Sequence, residues 1–320
     1  MTATRILSTV LSLMVALEAR AQTSPALSEK VVASSTLDGE GKVEVAAFIK
    51  ATATMLRSAD AVQVRRGREA IISSIGKSQP NAPFRTVFAS MLLPSLKEII
   101  KTGTQLQGVN ALEVMRALNS PDSLSALAEQ CSSATQPSES LRLVASGSLA
   151  SAILFTDLNT AQADAIVRAL SACIDRENDW MVTAYDLQSL KALATSPHVP
   201  KASQGTARVV ESSALALLVS KIRKEKVPPV MIRAVNRTLD SILSGQIEAT
   251  DPTAMADFGR SLEPALNMLI EMAKNPPTSD HAAAFAQSAK LAETLLRNIG
   301  GGKPAKTPAR AGTVSKPVTK

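Results

Sequence analysis

The stretches "LLPSLKEII" (92–100) and "SLEPALNMLI" (261–270) decide the fold class, because the second repeats the pattern of the first. Both contain Leu-x-Pro-x-Leu-x-x-x-Ile, with the proline inside an apolar pattern of helical period. They lie 170 residues apart, which is about four units of roughly 42 residues. "NALEVMRAL" (110–118) and "DLQSLKAL" (186–193) are related in the same way at 76 residues, or about two units. This recurrence predicts stacked helical units.

Between residues 43 and 299 the apolar residues recur with helical period, and no convincing strand pattern is found. Prolines beside Ser, Thr, Asn or Asp interrupt this pattern, which is typical of one helix stopping and the next one starting. Such joints include "SQPNAP" (78–83), "NSPDS" (119–123), "TSPHVP" (195–200) and "NPPTSD" (275–280). The pattern predicts an all-α domain of eleven or twelve helices. Because aromatic residues make up only 2% of the chain, we expect a core of Ala, Leu, Val, Ile and Met.

The segment "SADAVQVRRGREAIISSI" (58–75) places an aspartate four residues before Val-Arg, at the start of a small and apolar helix. Together with the mid-helix prolines, this segment resembles HEAT repeats, whose helix pairs stack into a solenoid. The resemblance implies an α-solenoid of antiparallel helix pairs, of the armadillo/HEAT kind, over residues 43–299. An irregular helical bundle is the alternative, since Leu and Ala are common throughout the chain.

The chain opens on "MTATRILSTVLSLMVALEARAQTSP" (1–25), which has the features of a cleaved export signal. A basic residue precedes the uncharged apolar run 6–17, which Glu18 ends, and Ala19-Arg20-Ala21 then has the small-x-small spacing of a signal-peptidase site. The run is shorter than the roughly 20 residues that a membrane span needs. We therefore expect a signal peptide at 1–21, a flexible lead-in at 22–42, and a mature protein outside the cytoplasm, either periplasmic or secreted.

The net charge of +7 comes largely from the ends of the chain. Residues 300–320 carry five cations and no acid, and their composition is typical of a disordered tail. The five cations are Lys303, Lys306, Arg310, Lys316 and Lys320. They predict either weak, salt-sensitive binding of a polyanion (an acidic glycan, lipid headgroups or nucleic acid) or a terminus that only aids solubility.

Few residues suit catalysis or metal binding, and no cofactor is expected. The two histidines, His198 and His281, lie at proline-marked joints, and the two cysteines have no metal-ligand spacing. Cys131 and Cys173 are candidates for a disulfide in an oxidising compartment, because about one repeat separates them; two separate buried thiols are the alternative. "DRENDW" (175–180) has alternating acids, but a tryptophan stands where a calcium loop needs glycine, which favours a charged helix joint.

Two groups of residues are candidates for contact with a partner. Trp180 and Tyr185 are the only Trp and Tyr of the chain, and aromatic residues often anchor partners; packing at a helix joint is the alternative. Arg65, Arg66 and Arg68 form a basic cluster that either binds an acidic partner or lies on a solvated face.

These features together predict an exported, non-catalytic protein-binding scaffold, because stacked helix pairs present an extended surface and no catalytic constellation is found. The expected partner is another protein. Polyanion binding through the tail is one alternative, and a ligand carrier or enzyme with a site between helices is another.

Overall fold

The computed structural model describes residues 25–34, 36–76, 82–245 and 252–299, and within these ranges the chain is all-α, with no strand. The α-helices of this part are α1 Glu29–Val32, α2 Gly39–Leu56, α3 Ala61–Gly76, α4 Ala82–Thr102, α5 Gln105–Leu118, α6 Pro121–Gln130, α7 Glu139–Ala152, α8 Thr160–Arg176, α9 Trp180–Thr195, α10 Lys201–Arg223, α11 Ile232–Gly245, α12 Pro252–Lys274 and α13 Ala282–Ile299. Short 3₁₀-helices span Ile153–Phe155, Pro229–Met231 and Ser279–His281. The predicted fold class is confirmed.

Helices α2 to α9 form four consecutive antiparallel pairs arranged in two layers. The first helices of the pairs, α2, α4, α6 and α8, pack side by side in one layer. The second helices, α3, α5, α7 and α9, form the other layer and contact one another more extensively than the first helices do. We call this the second-helix layer. Contacts run mainly between neighbouring helices, as they do in a helical array.

The pairs repeat at a nearly constant interval along the chain. The first helices α2, α4, α6 and α8 begin at residues 39, 82, 121 and 160, so successive starts are 39 to 43 residues apart, and α10 begins at residue 201. Pro94 and Pro264 are each the thirteenth residue of their helix, α4 and α12 respectively. Both prolines are exposed, while the leucines two residues away on either side are buried. The two similar sequence stretches therefore share one pattern of an exposed proline between buried leucines.

Polar residues at the predicted joints cap the helices. At residues 119–123, Asn119 ends α5 in the left-handed conformation (φ 45°), Ser120 caps α6, and Pro121 is its first residue. The Ser120 and Ser123 side chains each accept a hydrogen bond from the other residue's backbone N–H, which satisfies donors that a helix start leaves open. The Asp60 side chain likewise accepts a hydrogen bond from the backbone N–H of Val62 at the start of α3. The prediction that these motifs separate helices is confirmed at 119–123, 195–200 and 275–280, while residues 78–81 lie outside the described residues.

Part of the predicted lead-in has regular structure. Helix α1 lies within it, and α2 begins at Gly39 because the Asp38 side chain accepts a hydrogen bond from the backbone N–H of Gly41 at 2.7 Å. The backbone N–H of Ser28 also donates to a carboxylate oxygen of Glu44 at 2.6 Å. Val31 and Val32 are buried, and this burial favours an ordered segment.

Small and aliphatic residues make up most of the core, as expected from the composition. Of the few aromatic residues, Phe84 and Phe88 in α4 stack with ring centroids 5.5 Å apart. Gly67 in α3 lies at a close crossing with α2. A Cβ atom at position 67 would lie 2.9 Å from Cβ of Met55, so the absence of a side chain allows the two helices to approach.

The chain divides into two compact units, residues 1–207 and 208–320, with the division inside α10. In the second unit, α13 packs against both α11 and α12. Asn236 of α11 is buried, and its amide donates to the carbonyl of Ala284 at 2.9 Å. Within the described ranges, none of the helices combines the length and apolar composition needed to cross a membrane.

Candidate functional site

An open groove lies on the second-helix layer of the first unit, across α5, α7 and α9. It has a volume of about 390 Å³, near the lower end of the roughly 300–1,000 Å³ that is usual for ligand clefts. The groove is lined by Glu113 and Arg116 of α5, by Leu143, Val144, Gly147, Ser148 and Ser151 of α7, and by Met181 and Tyr185 of α9. Tyr185, which the sequence marks as a candidate contact residue, therefore lies in a concave site.

Gly147 keeps the middle of the groove open. A Cβ atom at this position would lie 3.8 Å from the Tyr185 ring, an ordinary van der Waals distance, so the glycine is not required by a clash. A longer side chain at position 147 would instead extend into the space beside the ring. The position therefore offers a way to fill the groove without disturbing the helix that carries it.

One residue of the predicted basic cluster, Arg68, contacts the groove on the second-helix layer. Arg68 of α3 is half-buried and forms an ion pair with Glu113 of α5, which lines the groove. Arg65 and Arg66 are exposed. Trp180 is the first residue of α9, is half-buried, and precedes the groove residue Met181. The structure thus brings Arg68 and Tyr185 to one layer of helices.

Arg116 is the charged residue of the groove that stays available. Its side chain is exposed and has no ion pair or hydrogen bond with the part of the chain that the structure describes. Glu113, by contrast, pairs with Arg68, which also lies 3.6 Å from Glu69. The rim of the groove therefore carries one arginine, Arg116, whose guanidinium is unpaired within the described part of the chain.

A buried polar cluster lies among α6 to α9, and we define it as Cys131, Arg142, Ser146, Cys173, Glu177 and Asp186. Its centre is a bidentate ion pair between Arg142 and Glu177. Arg142 Nε donates to Glu177 Oε2 at 2.7 Å, and Arg142 Nη2 donates to Glu177 Oε1 at 3.2 Å. Arg142 Nη1 also donates to the carbonyls of Gln136 and Pro137, and Glu177 Oε1 accepts from the backbone N–H groups of Asn178 and Asp179. Both buried charges are therefore well satisfied, as buried ion pairs must be.

Asp186 is fully buried in α9, beside this ion pair. Within the described ranges, neither of its carboxyl oxygens has a hydrogen bond of normal geometry, although Ser146 and the Cys131 thiol lie close to it. Burial raises the pKa of Asp186 to about 8, and the negative charge of Glu177 adds to the increase. At neutral pH the group is therefore mainly a neutral carboxylic acid.

Cys131 and Cys173 lie at the ends of α6 and α8, which are neighbours in the first-helix layer. Both thiols are buried and free in the structure. Burial and the adjacent Asp186 raise the pKa of Cys173 to about 12 and that of Cys131 well above its usual value. Thiolate, the reactive form, is therefore scarce at neutral pH. A disulfide between the two cysteines stays a prediction.

The other polar motifs have structural places. Asp179 caps α9 by accepting from the backbone N–H groups of Met181 and Val182, both at 2.8 Å, so "DRENDW" is a helix joint. His198 Nδ1 lies 2.8 Å from Asp157 Oδ1 and connects two adjacent joints. Among the described residues, no group of three or more His, Cys, Asp or Glu side chains is arranged to hold a metal ion.

Two predicted segments lie outside the described residues. They are the export signal at 1–21 and the basic tail with Lys303, Lys306, Arg310, Lys316 and Lys320.

A second depression, of about 420 Å³, lies in the unit formed by residues 208–320. Residues 225–229 line one side, and Pro277 and Thr278 line the other. Glu225 has a φ of 56° there, and the next residue's N–H donates to the carbonyl of Lys221, which closes the end of α10. The lining is rich in proline, and its residues 225–229 follow the end of α10. These are features of a helix end and not of a reactive site.

The sequence did not point to the groove or to the Arg142–Glu177 pair. One signal for the pair is visible in retrospect: Arg142 lies on the stripe of α7 that also contains Ala145 and Leu149, and both of these are buried. A charged residue on such a stripe must find a buried partner. The signal for the groove is weaker, because a mid-helix glycine such as Gly147 also has purely structural uses.

Comparison with known protein families, with curated proteins and with solved structures finds no match for this chain. The class of protein is therefore defined by its own structure. It is an all-α protein built from consecutive antiparallel helix pairs that contact mainly their neighbours.

Proposed function

We propose that this protein is a non-catalytic scaffold that binds another protein on the second-helix layer. The observation that carries the proposal is the groove across α5, α7 and α9, which combines an apolar floor, the Tyr185 ring and a charged rim. Interfaces are commonly built in this way, with a central aromatic or aliphatic patch and polar groups around it.

The regular interval of the pairs supports the further proposal that they are HEAT-like repeats. Pro94 and Pro264 occupy the same position in α4 and α12, and starts 39 to 43 residues apart match the length expected of such repeats. Repeats of this kind present extended surfaces and hold partners without chemistry.

The state of the two cysteines supports a non-catalytic role. A nucleophilic thiol needs a depressed pKa and access to its substrate, whereas Cys131 and Cys173 have raised pKa values and buried side chains. Asp186 is likewise fully buried, and its raised pKa is the result of that burial.

Export remains part of the proposal and rests on the sequence alone. Sequencing the mature amino terminus tests it: we expect the mature chain to begin at Gln22, directly after Ala21. Recovery of the full chain with Met1 from the cytosol would contradict export and leave the binding proposal standing.

The binding proposal is tested by filling the groove. The full chain, Gly147→Leu and the matched control Ala165→Leu are immobilised and exposed to an extract of the cell envelope. Ala165 is exposed on α8, in the other layer, so it accepts the same added side chain away from the groove. We expect at least one protein to be retained by the wild type and the control and lost with Gly147→Leu. A retained set that is identical for all three proteins would refute the proposal.

A further inference from the structure

We infer that the groove binds a partner segment in which an acidic side chain lies close to an aliphatic one, with Arg116 as the anchor for the carboxylate. The inference rests on the proposed function and specifies the chemistry of its partner. It commits to a protein segment because the groove combines one available cation with an apolar floor.

The apolar half of the groove requires an apolar group on the partner. Leu143, Val144 and Met181 line it and are only half-buried, so each still exposes surface that a partner can cover. Gly147 adds depth between α7 and the Tyr185 ring. The volume of about 390 Å³ suits a few side chains more than a folded surface. An aliphatic side chain that enters this space removes its own apolar area and that of the floor from water.

The charged half of the groove requires a negative group. Glu113 is already paired with Arg68, whereas Arg116 has no partner in the described part of the chain. A guanidinium group presents several N–H donors in a plane that matches a carboxylate. A second positive charge brought near Arg116 would be repelled. The basic tail of the chain itself, with five cations and no acid, is therefore a poor occupant.

The distribution of cations also argues against nucleic acid as the ligand. Binding of a nucleic acid strand depends on several cations that follow its phosphates, and stacking on successive aromatic rings adds affinity. The lining of the groove contains one cation, Arg116, and one aromatic residue, Tyr185. A short acidic and aliphatic peptide satisfies both halves of the site, whereas a nucleic acid strand satisfies only one.

The experiment uses the full chain and a display library of random 12-residue peptides, selected on the wild type and counter-selected on Gly147→Leu. We expect the enriched peptides to carry Asp or Glu within a few residues of Leu, Ile, Val or Met. A synthetic version of the most enriched peptide is then measured by fluorescence polarisation, together with a version in which the acid is replaced by its amide. We expect the amide version to bind about 5- to 10-fold more weakly.

Arg116 is tested with the same probe peptide. Arg116→Ala should weaken binding of the acidic peptide about 5- to 10-fold and leave the amide version unchanged, because the lost interaction is with the charge. Arg116→Lys should restore part of the loss. The matched control Arg168→Ala removes an exposed arginine of α8, in the other layer, and should bind as the wild type does. Circular dichroism of each variant confirms that the helices are intact.

The outcomes separate the inference from the proposed function. If Gly147→Leu removes a partner protein but the selected peptides are basic or neutral, or Arg116→Ala has no effect, the inference is wrong and the scaffold proposal stands. A 12-nucleotide single-stranded DNA probe is tested as a competitor. If it displaces the peptide at an equal concentration, and Arg116→Ala weakens its binding as much as that of the peptide, the inference is also wrong. If Gly147→Leu changes no binding at all, both fail.

Discussion

Arg142 and Glu177 are charged residues in the interior of the first unit, and their geometry explains why they are tolerated there. Every side-chain nitrogen and carboxylate oxygen of the pair has at least one hydrogen bond, either within the pair or with backbone groups. Removing one member leaves the other as a buried charge without compensation, which costs more than the pair itself contributes.

We therefore expect Arg142→Ala to lower the free energy of unfolding by about 3–5 kcal/mol. The double variant Arg142→Met/Glu177→Leu should recover most of that loss, because two apolar side chains need no partner. The exposed pair Lys97–Glu129 is the control: with its side chains 45% and 54% exposed, Lys97→Ala should change stability by less than about 1 kcal/mol. Urea unfolding monitored by circular dichroism measures all three. Equal losses for Arg142→Ala and Lys97→Ala would contradict this account.

Asp186 should make stability depend on pH. Its folded-state pKa of about 8 lies above the value of 3.8 expected for an unfolded chain, so the folded state retains a proton that the unfolded state has released. Between about pH 4 and pH 8 the free energy of unfolding therefore falls as pH rises, by up to about 1.4 kcal/mol per pH unit from this group.

Asp186→Asn removes that titration and should show a flatter pH profile, with its largest gain over the wild type at about pH 8. Urea unfolding at pH 5, 6, 7 and 8 checks the slope. Asp240→Asn, an exposed position in the second unit, serves as the control and should follow the wild type. A wild type and an Asp186→Asn variant with parallel profiles would show that Asp186 titrates normally in the folded protein.

At the scale of elements, small residues decide how closely the helices approach. Position 67 has Cβ of Met55 and backbone atoms of Leu56 and Thr52 within 2.9 to 3.1 Å of an added Cβ, whereas position 147 has nothing nearer than 3.8 Å. The two glycines are both inside helices, where alanine is intrinsically more favourable by about 1 kcal/mol. They differ in the space that is available to an added Cβ atom.

The same substitution should consequently have opposite effects at the two positions. Gly67→Ala is expected to destabilise the protein by about 1–2 kcal/mol, because forcing α2 and α3 apart outweighs the gain in helix propensity. Gly147→Ala is expected to stabilise it by about 0.5–1 kcal/mol. Thermal unfolding of the two variants beside the wild type measures both shifts. If Gly67→Ala also stabilises the protein, crowding at position 67 does not limit the approach of α3 to α2.

The helices and their joints could be predicted from the sequence because local chemistry specifies them. A cap such as Ser120 followed by Pro121 ends one helix and starts the next, whatever lies around it. The placement of Cys131 and Cys173 in neighbouring helices also followed from their spacing of about one repeat. The pairing of Arg142 with Glu177 could not be predicted in this way. Periodicity indicates which face of a helix is buried, but it does not indicate which residue of the neighbouring helix a side chain on that face contacts.

At the scale of the whole molecule, an array of neighbour contacts should confine the effect of a mutation. Destabilising one pair loosens the helices beside it and leaves distant pairs intact, because stability is close to a sum of local contributions. In hydrogen exchange of Arg142→Ala, we expect faster exchange in α7 to α9 and unchanged exchange in α12 and α13. A uniform increase along the chain would indicate a single cooperative unit.

The scarcity of aromatic residues has a practical consequence for Trp180. As the only indole of the chain, it begins α9 directly before Met181, one of the residues that line the groove. Tryptophan emission from the unmodified protein thus originates at one known place, beside the proposed binding surface. The molecule carries its own optical reporter, and titrating a ligand against that single emission needs no attached dye.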